Sequence, residues 1–280
     1  MRRWTTVAVA ALIASAPAVL ATPASATAAP DPVQALKRQF RPEKGVHITE
    51  VARMTYKGEA SRTRVSGRIQ FAATGPVAFD GTSYVVPERE DVIAPVNEPT
   101  DMTLVGRRLY LSWDGLPDGK KWVTLDLGDF FTAHDLSAQR ITVLNPSVLN
   151  AMLRGRTGEP VSGGYFYQGK VTYADLYRAD PKHYGSVLKA LRISAPSKQT
   201  IAFKLWTSRD GLPTRLMTSE TERNKRTSRS IDTRYTDWGA EVIVLAPPAD
   251  ETIPFDDVPL DDPEPKEILN VLPGRARDAA

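Results

Sequence analysis

Polar and apolar side chains alternate along most of the chain between residues 45 and 235. In residues 60–71, Arg62, Arg64, Ser66, Arg68 and Gln70 alternate with Val65, Gly67, Ile69 and Phe71. A period of two places one set on the wet face of a β-strand and the other on its buried face. Similar alternation or short apolar runs predict further strands at residues 45–56, 76–86, 103–113, 121–127, 165–176, 200–206, 215–222 and 228–235.

Short polar turns join several of these predicted strands, which indicates an antiparallel meander and not alternating βαβ units. Two turns share the tetrapeptide Asp-Gly-Leu-Pro, at residues 114–117 and 210–213. Glycine accepts the positive φ of a hairpin turn, so we interpret the repeat as turn chemistry and not as duplication. A last apolar strand is predicted at residues 242–246, and Pro247 and Pro248 end it because proline cannot donate to a ladder.

Three helices are predicted by an Asp or Asn cap followed by proline, at Asp31-Pro32, Asn145-Pro146 and Asp180-Pro181. The second and third predicted helices each carry an apolar stripe at helical spacing. The stripes consist of Val148, Leu149, Met152 and Leu153, and of Tyr184, Val187, Leu188 and Leu191. Residues 129–137 are predicted as one more short helix.

These elements predict an α+β fold in which a large curled antiparallel sheet, an unclosed β-barrel, has short amphipathic helices over its concave face. Helices of this length can cover the face and leave an apolar cavity for a hydrophobic ligand; a fully packed core is the alternative that the pattern leaves open. The tyrosines of residues 165–173 fit the lining of a ligand cavity, and ordinary core packing is the alternative. The candidate ligand-binding residues are Val148, Leu149, Met152, Leu153, Tyr165, Tyr167, Tyr173, Tyr184, Leu188 and Leu191.

The first residues have the pattern of a secretory signal peptide. Arg2 and Arg3 precede an apolar run at residues 7–20 that is too short to span a bilayer, and residues 24–26 form a small-residue cleavage site. An uncleaved anchor is the alternative. We predict four segments: a signal peptide at residues 1–26, an N-terminal segment with a short helix at 27–43, the main domain at 44–252, and an acidic, proline-rich tail at 253–280. The chain has no cysteine, so neither a disulfide nor N-terminal acylation through a cysteine is available.

Charge is distributed unevenly. The chain has a formal net charge of +3, of which Arg2 and Arg3 contribute two. From Asp250 onward nine acidic residues stand against three basic ones, so the tail is about −6 and the body between signal and tail about +7. An excess of this sign favours an anionic lipid or wall polymer over nucleic acid, and a merely solvated basic face is the alternative.

No catalytic or cofactor motif is present. The chain lacks a Gly-x-Ser-x-Gly elbow, a His-Glu-x-x-His pair and a phosphate-binding glycine loop. The three histidines, His47, His134 and His183, stand at no metal-ligand spacing, and we interpret each as a surface or capping residue. The sequence therefore predicts a protein that is not an enzyme and that holds neither cofactor nor metal.

Four stretches resemble the successive signatures of one family. They are MTLVGRRLYLSWDGLPDGKKWVTLD (102–126), GGYFYQGKVTYADLY (163–177), LWTSRDGLPTRL (205–216) and YTDWGAEVIVLAPPADE (235–251). Together they are similar to the LppX/LprG-like group of exported bacterial lipid carriers, which is related in fold to the lipoprotein carrier LolA. The resemblance covers most of residues 44–251. Many relatives are lipid-anchored through an N-terminal cysteine, which this chain lacks.

The resemblance implies an unclosed barrel that binds acyl chains or lipoproteins without catalysis. The signal peptide and the absence of cysteine predict a product that is soluble outside the cytoplasm. It also implies that Tyr235, Asp237, Trp238 and Gly239 turn the chain between the last two strands. An envelope regulator of the RseB type, which binds a protein partner, is the alternative function. The implied partners are thus a lipid or acyl ligand, an anionic membrane or wall surface and, in the alternative, an envelope protein.

Overall fold

The computed structural model describes residues 29–56, 58–87, 99–117, 119–128, 132–190, 198–221 and 227–258, with the backbone alone at residues 59, 87 and 187–190. The predicted signal peptide and most of the predicted tail lie outside these residues. Most of the described chain forms strands. They are β1 (Lys44–Tyr56), β2 (Glu59–Ala72), β3 (Gly75–Pro87), β4 (Thr100–Val105), β5 (Arg108–Ser112), β6 (Trp122–Asp126), β7 (Glu159–Val161), β8 (Gly164–Thr172), β9 (Thr200–Ser208), β10 (Pro213–Thr221), β11 (Thr227–Glu241) and β12 (Thr252–Pro254).

All twelve strands belong to one sheet, in the order β12-β6-β5-β4-β3-β2-β1-β11-β10-β9-β8-β7. Strands β1 to β6 form one antiparallel meander and β7 to β11 a second, and the pairing of β1 with β11 joins the two. Only the short β12 pairs in parallel, with β6. In the part of the chain that is described, β12 and β7 are the two edges, so the sheet is open. The predicted fold class is confirmed.

The predicted alternation is confirmed in β2. Val65, Ile69 and Phe71 are buried, whereas Arg64 and Arg68 are exposed on the opposite face. Because the side chains of every long strand alternate in this way, each long strand contributes the residues of one face to a single apolar cluster. Apolar side chains of the helices contribute the opposite side of this cluster. The core therefore lies between the concave face of the sheet and a layer of helices and irregular chain.

The three capped helices form where the sequence predicts them, as α1 (Pro32–Gln39), α2 (Pro146–Leu153) and, following α3 (Tyr173–Ala179), α4 (Pro181–Ala190). Asp31 accepts from the backbone N–H of Val33, and Asn145 accepts from that of Ser147. A short 3₁₀ helix at Ala133–Leu136 lies within the helix predicted at residues 129–137. No helix in the described ranges is long and apolar enough to cross a membrane.

Two predicted strands are wrong in their extent. Residues 103–113 are two strands, β4 and β5, because the chain turns at Gly106, which has a φ of 62°. Residues 165–176 end as a strand at Thr172, whose hydroxyl accepts from the N–H of Asp175 while the Asp175 carboxylate accepts from the N–H of Thr172. This capping box starts α3, so Tyr173 is the first residue of a helix.

The Tyr-x-Asp-Trp-Gly motif is not a turn between two strands, as the resemblance implied. It lies inside β11, where Asp237 and Gly239 have positive φ and the pairing with β1 shifts register between Gly45 and His47. The extra residues form a bulge that points Trp238 toward Pro213, whose carbonyl accepts from the indole N–H at 2.7 Å.

The predicted strand at residues 242–246 is also wrong. These residues belong to no strand of the sheet. Val242 donates to the carbonyl of Glu43, and Val244 donates to the side chain of Gln70. Val242 and Val244 are buried in a small second cluster with Ala78, and Ile243 and Leu245 remain exposed.

Candidate binding site on the concave face

The covering layer consists of residues 132–145 together with α2, α3 and α4, and it contains most of the candidate ligand-binding residues. The structure brings eight of the ten candidates into or against one apolar cluster. Val148, Leu149, Met152, Tyr167, Tyr173 and Tyr184 are buried, and Leu153 and Tyr165 pack against them partly buried. Only the backbone of Leu188 is described, and Leu191 lies outside the described residues.

The space between this layer and the sheet is small in the described part of the chain. An opening between Ile48, Ile69 and the covering residues 139–144 has a volume of about 20 Å³. A volume of this size holds about one water molecule. The layer therefore packs closely on the sheet here, and the larger apolar cavity stays a prediction.

The concave face opens toward the end of β1. The inward-facing residues of this strand become more exposed along the chain, from 0% at Val46 through 2% at Ile48, 3% at Glu50 and 9% at Ala52 to 38% at Met54 and 50% at Tyr56. We call the region around Met54 and Tyr56 the open end. A ligand can reach the concave face from here without crossing the sheet.

A buried polar network lies at the centre of the concave face. The carboxylate of Glu50 accepts from the Ser137 hydroxyl, the Ala138 N–H and the Thr233 hydroxyl, each at 2.6 Å. Burial raises the pKa of Glu50, and the three hydrogen bonds oppose this with smaller effects. Beside it, the Gln139 amide donates to Thr233 at 2.9 Å. The network attaches the covering segment 137–139 to β1 and β11.

A second polar group, the charged row, lies at the open end. It consists of Glu220 on β10, Arg229 on β11, Arg140 from the covering layer and Tyr173 at the start of α3. Arg229 Nη1 donates to Glu220 Oε1 at 2.9 Å, and the Tyr173 hydroxyl donates to Glu220 Oε2 at 2.8 Å. Arg140 Nε lies 3.8 Å from Glu220 Oε1. The row is where the sheet, the covering layer and solvent meet.

The histidines are distributed over separate places. His47 on the outside of β1 lies 3.1 Å from Asp237, and His183 at the start of α4 lies 3.5 Å from Asp135. Burial, with a smaller contribution from the charge of His183, lowers the pKa of His134 to about 3. Among the described residues no group of three or more acidic or histidine side chains is placed to hold a metal ion.

The outer face of the sheet carries two larger grooves. One of about 590 Å³ crosses β8, β9, β10, β11 and β1, and one of about 380 Å³ crosses β11, β1, β2 and β3. Both contact Val51 and Asp232, so they adjoin. Their charged lining is mainly basic and comprises Arg53, Arg64, Lys170, Lys204 and Arg234, against Asp232 and Glu50. Both grooves are open to solvent, so they suit docking of a surface better than enclosure of an acyl chain.

No family model matches the chain, and no curated protein matches it. Among solved structures, LprF from Mycobacterium bovis has 11% sequence identity, with 78% of this chain and 99% of that chain covered at a TM-score of 0.41. The LolA superfamily protein NE2245 from Nitrosomonas europaea has 9% identity, with 76% and 93% covered at a TM-score of 0.26.

The MucA/MucB complex of Pseudomonas aeruginosa has 13% identity, with 75% of this chain and 59% of that chain covered at a TM-score of 0.26. The first two neighbours come from the LppX/LprG-like and LolA-like groups that the sequence resembles. The function proposed below rests on the geometry of the chain itself.

The sequence patterns did not identify the polar residues of the concave face. Glu50 carried a signal, because it replaces an apolar residue in the inward-facing series Val46, Ile48, Glu50 and Ala52. Glu220 carried the same signal after Leu216 and Thr218 in β10. Gln139 and Arg140 lie in irregular chain, where no period predicts which side chains face inward.

Proposed function

We propose that this chain is an exported, non-catalytic binding protein that holds a lipid or another acyl ligand against the concave face and carries it through the extracytoplasmic space. The observation that supports this proposal best is the shape of the concave face. It is a mainly apolar surface, with one polar network around Glu50 at its centre, that is covered over most of its length and opens at Met54 and Tyr56. An amphipathic ligand fits such a surface with its chain inside and its polar end at the opening.

The energy of such binding needs no reactive group. Each buried methylene contributes about 0.8 kcal/mol, so a twelve-carbon chain contributes about 10 kcal/mol before ordering costs. Because the opening between layer and sheet is only about 20 Å³, the ligand has to displace part of the covering layer. Its methylenes then replace the apolar contacts that this part of the layer makes with the sheet.

A second function, binding of an envelope protein in a regulatory module, is supported by a different surface. Ile243 and Leu245 are 48% and 76% exposed on the segment that follows β11. Apolar side chains presented in this way on a packed body are typical of a site for a protein partner. The close packing of the concave face also favours this alternative.

Native mass spectrometry with lipid extraction, on the chain from Thr27 to Ala280 purified without detergent from a secreting host, tests the proposal. We expect stoichiometric adducts in the mass range of lipids. Met54→Glu should reduce their occupancy, because it places a carboxylate at the open end, where the side chain is 38% exposed and the added charge does not oppose folding. Leu149→Arg is a poorer test, because Leu149 is completely buried and a charge there opposes folding.

Leu245→Glu is the matched control, since it introduces the same charge at an exposed apolar residue outside the main apolar cluster. It should leave the adducts unchanged. Clean apo masses for the unmodified chain, with no uptake of a fluorescent fatty acid, would refute the acyl-binding proposal. If Leu245→Glu then abolished capture of an envelope protein, the regulatory function would be supported.

A further inference from the structure

The charged row is a continuous band across the sheet. Met54, Arg229 and Glu220 are direct cross-strand neighbours on β1, β11 and β10. All three side chains face inward. Each lies two residues nearer the open end of its strand than Ala52, Ile231 or Thr218, which are likewise cross-strand neighbours. The apolar concave face therefore ends at a line of one carboxylate and one guanidinium group, and solvent begins directly beyond it at Tyr56.

The bonding within the row is incomplete. Glu220 accepts from Arg229 and Tyr173, and both of its oxygens are engaged. Arg140 comes no closer than 3.8 Å to this carboxylate, and its Nε is a buried nitrogen without a hydrogen-bond partner. The side chains of Arg140 and Glu220 are each only 10% exposed. A buried guanidinium N–H without an acceptor is uncommon in folded proteins, and it indicates a site that another acceptor completes.

Charge in the row is also unbalanced. The guanidinium groups of Arg140 and Arg229 are close together, since both contact Glu220 Oε1, and within the described residues this one carboxylate faces them both. Burial, followed by the charge of Arg229, lowers the pKa of Arg140. A second anion beside Glu220 would remove the repulsion between the two arginines and give Arg140 the acceptor that it lacks.

We propose that the charged row binds one anionic group, a phosphate or carboxylate, between Arg140 and Arg229 at the open end of the concave face. Both guanidinium groups offer forked donors that match the oxygens of such a group. This inference rests on the proposed function, because it assigns the anion to the polar end of the acyl ligand. It adds a preference for anionic amphiphiles over neutral ones of the same chain length.

Calorimetric titration of the chain from Thr27 to Ala280 tests this preference with three probes. They are dodecyl phosphate, dodecyl maltoside as a neutral amphiphile with the same chain, and inorganic phosphate, each amphiphile below its micellar concentration. We expect dodecyl phosphate to bind at least about tenfold more tightly than dodecyl maltoside, because hydrogen bonds to a charged group contribute this much or more. Inorganic phosphate alone should bind weakly.

Two variants should shift the preference in opposite directions. Arg229→Gln should remove the preference, so that dodecyl phosphate binds no more tightly than dodecyl maltoside. Glu220→Gln should strengthen it, because it removes the carboxylate that competes for the arginines. Arg53→Gln on the exposed outer side of β1 is the control and should change neither affinity. Circular dichroism establishes that each variant is folded, and if a variant unfolds, the comparison of the probes on the unmodified chain decides.

The outcomes separate this inference from the proposed function. Equal binding of both amphiphiles would overturn the anion site and leave acyl binding in place. Binding of inorganic phosphate without binding of either amphiphile would support an anion site for free phosphate and overturn the acyl-binding function. If none of the three probes bound, both proposals would be wrong.

Discussion

Replacing Glu50 separates the cost of burying a charge from the benefit of its hydrogen bonds. Glu50 is 3% exposed at the centre of the concave face, and its carboxylate accepts three hydrogen bonds at 2.6 Å. Burial raises the pKa of Glu50 above its usual 4.5, and the hydrogen bonds do not compensate fully. The ionised carboxylate is therefore less favourable in the folded chain than in the unfolded one.

The sign of the pH dependence follows from this direction. A carboxyl group whose folded pKa is raised contributes stability that is fully present below its unfolded pKa, here 4.5, and is lost as the pH rises through the folded value. Each unit of difference between the two pKa values corresponds to about 1.4 kcal/mol in the free energy of unfolding. Glu50→Gln keeps the shape and removes the charge, so its stability relative to the unmodified chain should increase with pH above 4.5.

Glu50→Ala should behave differently. It removes the acceptor of three donors, the Ala138 N–H and the hydroxyl groups of Ser137 and Thr233, although the two hydroxyl oxygens still accept from Gln139. The unpaired buried donors and the lost side-chain contacts cost together at least about 3 kcal/mol. This loss should be present at every pH at which the chain folds.

Urea denaturation followed by circular dichroism at pH 4, 5, 6, 7 and 8 measures these differences. Comparing each variant with the unmodified chain at the same pH cancels the titration of all other groups. Glu241→Gln, an exposed carboxylate on β11, controls for the chemical change itself. A Glu50→Gln variant whose relative stability is constant, or falls, between pH 4 and 8 would show that the pKa of Glu50 is not raised and would refute the reasoning.

Three further substitutions test the packing of the covering layer and of the bulge, each by the free energy of unfolding in urea. Leu149→Ala should cost about 3 kcal/mol, because Leu149 is completely buried in the main cluster, and a loss below about 1 kcal/mol would mean that the site is loosely packed. Tyr184→Phe should cost about 2 kcal/mol, because the Thr142 N–H donates to the Tyr184 hydroxyl at 3.1 Å and has no substitute acceptor in the variant. Trp238→Phe should cost about 1 kcal/mol through loss of its 2.7 Å hydrogen bond to Pro213, and no change would show that the bulge is held by ring contacts alone.

Much of the sheet could be predicted from the sequence because its long strands have one buried and one wet face. The alternation in β1, β2 and β11 fixes which side chains face the core, and the predicted bounds of β1 and β2 lie within one residue of the observed ones. Strand β11 continues six residues past its predicted end at residue 235, because the chain passes through the bulge and pairs again with β1. The capped helices were equally predictable, because an Asp or Asn cap with proline acts through local hydrogen bonds that need no tertiary partner.

The wrong predictions come from places where a local signal was weaker than the alternation around it. Gly106 lies within a stretch rich in apolar residues, and the chain reverses direction there because Gly106 has a positive φ. The Thr172 and Asp175 capping box is a recognisable helix start, but it follows a strand without any break in apolar character. Residues 242–246 have the composition of a strand, and what decides their conformation is long-range: Val242 and Val244 pack against Ala78 on a distant strand.

The polar contacts of the covering layer indicate which part of it an acyl ligand would displace. Segment 137–139 is attached to the sheet through Glu50 and Thr233, and separating it would leave buried polar groups unpaired at about 1–3 kcal/mol each. Helix α2 instead gives the core only apolar side chains, Val148, Leu149 and Met152, and packs against α1, α3 and β8.

Ligand methylenes can take over the apolar contacts of α2 at about 0.8 kcal/mol each. Parting α2 from β8 also breaks the link through Arg156, which donates to the Met152 carbonyl of α2 and to the Lys170 carbonyl of β8, each at 2.8 Å. Arg156 is partly exposed, so water can replace these two hydrogen bonds. The lowest-energy path for a ligand from the open end therefore parts α2 from β8 and leaves segment 137–139 in place. The polar network at the centre would then act as the fixed floor of the site, and the charged row as its rim.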